Sequence, residues 1–256
     1  MNIAVLAKQV PDLVEGVEID ASGKAVDPTS IRYILSELDD HALEEALLLK
    51  ERAQGRVEVF SLELGEVRDT LCTALAKGAD RVVMVRTGLD TPPDNHTAAK
   101  MFASLLRGLA FDLVFTGVRA IDDLDGSLGG LLAGYLDFPY VGLVRKVELA
   151  GDQGKAIVEK EYPGGYAAEL EVRLPAVLGI QAAEQPPRYV PVSRLRQVMK
   201  TGNVEEQAAS LPSAPPLEIE RLYKPEEGKG ATMLSGSPEE VARQITNLLS
   251  ERRLLR

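Results

Sequence analysis

The sequence predicts an α/β fold in which a mostly parallel sheet is flanked by helices. Short apolar runs alternate along the chain with segments whose apolar residues recur at helical spacing. Runs of this kind are typical of buried parallel strands, and their alternation with helices gives right-handed crossover connections. With 256 residues, 45% apolar and 27% charged, the chain has the length and composition of a globular protein with a sizeable core.

The first half of the chain contains repeated βα units. The apolar run at residues 2–8 predicts a buried strand. Apolar and polar residues alternate over 17–27 on both sides of a Ser-Gly pair, which predicts a β-hairpin. Ser36 and Asp39 are candidate caps of a long amphipathic helix that Gly55 ends. Strands are then expected at 57–64, 81–87 and 111–117, and helices at 67–79 and 96–108, which end at Gly78 and Gly108.

The second half changes character after a Gly-punctuated helix that starts near Ser127. Three alternating runs, separated by GDQGK and PGG, predict β-hairpins up to residue 180. Beyond residue 184 the chain is Pro-rich and is expected to be irregular, until a terminal helix with Ser237 as N-cap and Pro238 at its first position. We therefore expect an α/β domain with its hairpins at 1–184, a connecting region at 185–210, and an extended C-terminal arm with a helix at 211–256.

Composition excludes several classes of function. The net charge of −10 opposes binding to the nucleic acid backbone, and a single cysteine, Cys72, cannot form an internal disulfide, an iron–sulfur site or a thiolate zinc site. No stretch approaches the roughly 18 to 20 apolar residues of a membrane span, and the N-terminus does not have the pattern of a signal peptide. We expect a bacterial or archaeal cytoplasmic protein, or an organellar one if a targeting segment was removed, without direct membrane insertion.

The residue types that usually carry catalysis are poorly placed. His41 and His96 fall on predicted helices without a second ligand at metal spacing, and Cys72 lies on the apolar side of a helix. No GxSxG, Walker or HExxH pattern occurs. The sequence therefore favours a binding protein over an enzyme and supports no metal site.

The segment 111–139 contains the densest group of candidate binding residues. A buried strand ends at Gly117, and a polar turn leads into a helix whose first turn begins at Ser127. In a parallel sheet such a loop lies at the carboxyl edge, and the free N–H groups of the helix can bind an anion. Gly126, Gly129 and Gly130 lack Cβ atoms, so a phosphate could approach the backbone there.

Two features leave that interpretation open. Turn and cap formation explains the Gly, Ser and Asp residues equally well by itself. In addition, Asp122, Asp123 and Asp125 place negative charge beside the expected phosphate. These carboxylates would have to face away as caps, accept hydrogen bonds from the nucleotide, or share a metal.

Six segments in the same order resemble the β subunit of electron transfer flavoproteins. They are VLAKQVPD, SELDDHALEEALLLKE, TALAKGADRVVMV, GVRAIDDLDGSLGGLLAGYLDFP, EVRLPAVLGIQ, and PPRY followed by Met199-Lys200. The resemblance implies an adenine-nucleotide α-hydrolase-like fold and a heterodimer with an α subunit that holds most of a redox-active FAD. It also implies a structural AMP in this chain and an electron carrier without turnover of its own.

The resemblance also implies four stretches of cofactor-binding residues. They are Leu6 and Ala7; Ser36, Glu37, Leu38 and Asp39; Leu64 and Gly65; and Asp122, Asp123, Leu124, Asp125, Gly126, Ser127, Leu128, Gly129, Gly130, Leu131, Leu132 and Ala133. The family usually has Asn-Pro-aromatic at 36–38 and Gln-Thr-Gly or Gln-Val-Gly at 127–129. Electron-bifurcating members bind a second FAD in place of AMP, typically with Asp-Gly-Asp-Thr at 122–125. This chain matches neither pattern there, so AMP and a second FAD both stay open.

The resemblance implies three roles in contacts with other groups. Leu13 takes a position where the family often has an aromatic residue near the flavin. The region 185–210 corresponds to a partner-recognition loop, in which Leu195 between Arg194 and Arg196 would anchor dehydrogenases such as acyl-CoA dehydrogenases. Counted forward from Arg188, the anchor is instead Val192, and a core role for Leu195 fits the pattern equally well. The family also donates electrons to electron transfer flavoprotein quinone oxidoreductase, and its C-terminal arm wraps the α subunit.

Two rival functions lack their expected motifs. A stand-alone adenine-nucleotide hydrolase of this fold needs an SGGxDS-like phosphate loop after the first strand, where this chain reads AKQVPD. A universal-stress-type nucleotide sensor needs a Gly-rich phosphate pattern late in a shorter chain, and this sequence does not contain one.

Overall fold

The computed structural model describes residues 1–14, 16–27, 29, 31–89, 92–123, 125–151, 154–210, 219–224 and 230–255. Two compact units divide the chain at Met1–Leu222 and Tyr223–Arg256. Two sequence-based expectations fall partly outside this description. Leu124 of the candidate loop and residues 211–218, 225–229 and 256 of the expected arm are not among the described residues.

The elements of the first unit follow the predicted alternation. Its strands are β1 (Asn2–Leu6), β2 (Gln9–Pro11), β3 (Tyr33–Leu35), β4 (Arg56–Leu62), β5 (Arg81–Arg86), β6 (Leu113–Gly117), β7 (Tyr140–Leu149), β8 (Lys155–Tyr162), β9 (Tyr166–Arg173), β10 (Ala176–Ile180) and β11 (Glu205–Ala208). Its helices are α1 (Glu37–Ala53), α2 (Val67–Lys77), α3 (Asn95–Leu106), α4 (Leu128–Leu136) and α5 (Val192–Thr201).

Within the described residues a nine-stranded sheet has the order β11-β5-β4-β1-β6-β10-β7-β8-β9. All pairings from β11 through to β7 are parallel, and β8 and β9 continue the sheet in antiparallel pairing. Alternate residues of the central strands enter two cores, with Ile3 and Val5 on one face and Ala4 and Leu6 on the other. The predicted class, a mostly parallel sheet flanked by helices, is confirmed, and the run of buried residues in β1 reflects burial of both faces.

The predicted hairpins are present over β7, β8 and β9, whereas the end of the third predicted run forms β10, which pairs in parallel with β6 and β7. β7, β8 and β9 pair in sequence, and the second turn places Gly164 and Gly165 at φ +84° and +79°, a region that favours glycine. The predicted N-terminal hairpin is reduced to a single antiparallel bridge between Ile19 and Val26. The sequence did not predict the short antiparallel pair of β2 and β3.

The expectation that the chain is irregular beyond residue 184 is wrong over two elements. Helix α5 packs against α2, and β11 adds a parallel strand to the edge of the sheet beside β5. Ion pairs from Arg81 to Glu205 (2.7 Å) and from Arg86 to Glu206 (3.0 Å) hold β11 in place. Four residues of mixed polarity give no strand period, so only the neighbouring strand makes this segment extended.

The second unit contains α6 (Pro238–Glu251), which begins as predicted. Ser237 Oγ accepts a hydrogen bond from the Glu240 N–H, and the Glu240 side chain accepts one from the Ser237 N–H, as in a capping box. Ile245 and Leu248 on this helix are 45% and 43% exposed. In the part of the chain that the structure describes, no helix is long and apolar enough to span a membrane.

Candidate functional site

A cleft opens at the carboxyl ends of β1 and β4, beside α3 and the start of α4. Five residues of the implied nucleotide site line this cleft. They are Leu6, Ala7, Asp39, Leu64 and Leu128. Residues that are distant in sequence but lie at the ends of neighbouring strands thus meet at the sheet edge where α/β proteins bind ligands.

The other implied residues are distributed around this edge. Ser36 is the buried N-cap residue of α1, followed by exposed Glu37 and half-buried Leu38, while Gly65 adopts φ +56°. Gly126 adopts φ +62°, where a Cβ would meet the Val118 carbonyl oxygen at 2.7 Å. On α4, Gly130 is exposed and Leu131 is half-buried. Leu132 and Ala133 belong to the hydrophobic core.

Asp39 joins two strands at the base of the cleft. Its side chain does not cap α1 but accepts hydrogen bonds from the Gly117 N–H (2.7 Å) and the Lys8 N–H (3.0 Å). Burial raises the pKa of Asp39 to about 7, although the two N–H donors act in the opposite direction. A Cβ at Gly117 would lie 2.8 Å from the Asp39 carboxylate, so this contact requires glycine.

The acidic residues of the loop between β6 and α4 are paired with protein groups. Lys8 Nζ lies 2.7 Å from Asp122 and 3.1 Å from Asp123. The Asn95 amide donates to Asp123 at 3.2 Å and to Asp125 at 2.5 Å. The structure thus brings Lys8 and Asn95 to the loop, two residues that the sequence analysis did not identify.

Backbone groups complete the environment of the same carboxylates. Asp123 accepts from the Ala120 N–H (3.2 Å), and Asp125 accepts from the Ser127 N–H (2.9 Å). Burial disfavours the charged forms of both Asp125 and Lys8. Hydrogen bonds from Ser127 and Asn95 nevertheless lower the pKa of Asp125, and the carboxylates of Asp122 and Asp123 raise the pKa of Lys8. Asp123 and Asp125 thus accept backbone N–H groups of the loop, as caps do, whereas Asp122 pairs with Lys8.

Helix α4 begins one residue after its N-cap Ser127, as predicted, and its first turn contains Gly129. A Cβ at Gly129 would lie 2.8 Å from Tyr140 Cε2 and 3.0 Å from Thr116 Oγ1. The glycine is therefore required by packing against β6 and β7, a reason that local sequence could not supply. The first N–H groups of α4 have no intrahelical partner, as at every helix start.

Two buried polar atoms in the cleft wall have no partner among the described residues. The Gln9 amide donates through Nε2 to Thr70 Oγ1 (2.8 Å) and to the Glu66 carbonyl (3.1 Å), which leaves its Oε1 as a fixed acceptor. Ser61 Oγ on β4 is likewise buried and unpaired. Both residues line the cleft, and buried polar atoms of this kind usually have a hydrogen-bond partner.

The residues expected to contact partners lie on the surface. Leu13, in the segment after β2, is 55% exposed. On α5 Arg194 and Arg196 are exposed, whereas Leu195 is half-buried and packs against the core. Val192 at the start of α5 is 54% exposed. Of the two candidate anchors, Val192 is thus the one that a partner can reach more fully.

The histidines and the cysteine have structural surroundings. His41 Nδ1 accepts from the Ala183 N–H at 3.2 Å, and His96 Nδ1 lies 2.9 Å from the Tyr135 hydroxyl. Cys72 is buried as predicted, and burial raises the pKa of its thiol. The described residues contain no group of three or more potential metal ligands.

The chain is similar over nearly its whole length to proteins of one family. The electron transfer flavoprotein domain matches residues 25–212 of the chain. The chain is similar to the electron transfer flavoprotein subunit beta of Methylophilus methylotrophus, with 34% identity over 98% of both chains. It is also similar to that of Thermoanaerobacterium thermosaccharolyticum, with 33% identity over 96% of this chain and 88% of the relative. The mitochondrial subunit beta of Oryza sativa subsp. indica is 32% identical over the full length of both.

Proposed function

We propose that this chain, which belongs to the electron transfer flavoprotein family as a β subunit, binds AMP in the cleft at the carboxyl edge of its sheet. In this proposal it pairs with an α subunit that holds most of a redox-active FAD, and the two chains together carry electrons. The FAD supplies the redox chemistry when bound, and this chain encloses and positions it without turnover of its own.

The observation that carries the proposal is the wall of the cleft. Gln9 Oε1 and Ser61 Oγ are buried and unpaired among the described residues, and such atoms need a hydrogen-bond donor. The amino group of adenine and the hydroxyls of ribose are donors of this kind. At the other end of the cleft the start of α4 offers backbone N–H groups to a phosphate.

The partners of the α/β pair are also proposed. The basic residues of α5, with Val192 exposed among them, suit an acidic partner surface with an apolar pocket. We propose that this helix binds flavoprotein dehydrogenases such as acyl-CoA dehydrogenases. We also propose that electron transfer flavoprotein quinone oxidoreductase accepts the electrons. The C-terminal arm with α6 is assigned to the surface of the α subunit, and a cytoplasmic location is proposed for the complex.

The proposal is tested by the cofactors that the heterodimer releases. The chain is co-purified with its α subunit and denatured, and the released molecules are identified by mass and absorbance. One FAD and one AMP per heterodimer are expected. Two FAD molecules would place the pair with the electron-bifurcating members, in which a second FAD replaces AMP. A single FAD without a further nucleotide would contradict the assignment of the cleft.

A further inference from the structure

We propose that Lys8, supported by Asn95, is the residue that makes the acidic loop compatible with a phosphorylated nucleoside. This inference rests on the proposed nucleotide site, and in it Lys8 makes that site prefer a phosphorylated ligand over a neutral one. Lys8 acts through Asp122 and Asp123, and it is therefore a positioning residue.

The charge balance of the loop motivates the proposal. Asp122, Asp123 and Asp125 lie between β6 and α4, and Asp125 accepts the N–H of Ser127, the N-cap residue of α4. A phosphate at the start of α4 would thus be close to three carboxylates. Like charges repel more strongly in a partly buried site than in water, and here they oppose the attraction of the helix N-terminus.

Lys8 is placed to offset this repulsion. It lines the cleft, and its Nζ contacts Asp122 at 2.7 Å and Asp123 at 3.1 Å, with all three side chains less than one quarter exposed. Its backbone is held by the Lys8 N–H bond to Asp39. Asn95 at the start of α3 holds Asp123 and Asp125 from the other side of the loop.

A separate observation indicates that the cleft takes a ligand. Gln9 and Ser61, both more than nine-tenths buried, line the cleft, and Gln9 Oε1 and Ser61 Oγ have no partner among the described residues. Neither side chain belongs to the acidic loop. Removal of Lys8 should therefore weaken binding of the phosphate and leave the contacts to the nucleoside unchanged.

The experiment compares AMP with adenosine, which lacks only the phosphate. Both ligands are titrated calorimetrically into the full chain purified with its α subunit and depleted of nucleotide. For Lys8→Met we expect the affinity for AMP to fall about tenfold or more and the affinity for adenosine to stay within about twofold. Lys8→Arg, which keeps the charge, should restore most of the AMP affinity.

Two further variants sharpen the test. Lys146→Met removes a lysine from an exposed pair with Glu148 (2.8 Å) and should leave both affinities unchanged. Asn95→Asp adds a carboxylate against Asp123 and Asp125 and should weaken AMP binding selectively, as Lys8→Met does.

The outcomes separate this inference from the proposed function. If Lys8→Met binds AMP as well as the unaltered chain does, or loses AMP and adenosine to the same degree, the role of Lys8 is wrong and the nucleotide site stands. If the unaltered chain binds neither ligand, the nucleotide site is wrong, and the inference fails with it.

Discussion

Replacing Gly129 by alanine should destabilise the protein, although alanine is the better helix former. The new Cβ would lie 2.8 Å from Tyr140 Cε2, whereas ordinary contacts begin at 3.4 Å, so the ring would have to move by about 0.6 Å. The Tyr140 hydroxyl also lies close to Gly142 and Gly179, where an added Cβ would come within 2.8 Å of the hydroxyl oxygen. Overpacking of this kind costs about 1–3 kcal/mol.

Gly130 provides the matched control on the same helix turn. A Cβ there would lie 3.8 Å from the Tyr140 ring, which is ordinary contact. Gly130→Ala should therefore gain the helix propensity of alanine, about 0.5–1 kcal/mol, without a clash. Gly129→Ala has the same gain but also the clash, so it should be less stable than Gly130→Ala by about 1–3 kcal/mol.

Urea unfolding followed by circular dichroism measures both variants, with the free energy taken from the midpoint and slope. Combining Gly129→Ala with Tyr140→Ala should remove the clash, so the double variant should be more stable than the two single effects predict. The reasoning is refuted if Gly129→Ala is as stable as Gly130→Ala, or if its effect adds independently to that of Tyr140→Ala.

Three further predictions follow from the described contacts. Burial raises the pKa of Asp39 to about 7, so the folded state keeps a proton that the unfolded chain releases above about pH 4, and the contribution of Asp39 to stability should fall as pH rises from about 4 to about 7. The difference in unfolding free energy between the unaltered protein and Asp39→Asn should show this slope. A difference that stays constant with pH would contradict it. Val192→Ala should slow reduction by a partner dehydrogenase with little change in the free energy of unfolding. Leu195→Ala should mainly lower that free energy, by about 2 kcal/mol or less because Leu195 is only half-buried. The reverse result would make Leu195 the anchor. Removal of 223–256, the second compact unit, should preserve the circular dichroism of the remaining chain and abolish co-purification with the α subunit, and an unfolded remainder would show that this unit supports the first.

Local pattern was sufficient for the elements whose signals come from neighbouring residues. The apolar run of β1 predicted a strand buried on both faces, and Ser237 with Pro238 predicted the start of α6, because strand burial and helix capping depend on residues a few positions apart. The strand, loop and helix around Ser127 were predicted for the same reason. Most of the proposed cofactor-binding residues have no such local signal, and only the resemblance to a family pointed to them.

Only the tertiary structure decided how the candidate site is assembled. Lys8 and Asp122 are 114 positions apart, and Asn95 and Asp123 are 28 apart, so no local period could pair them. They meet because strand order places the carboxyl end of β1 beside that of β6. The same holds for Gly129, whose neighbour Tyr140 lies on β7, and for β11, which is extended because β5 offers it an unpaired edge. Local sequence thus predicted the central strands and helices α1 to α4, and the order of the strands determined which side chains share a site.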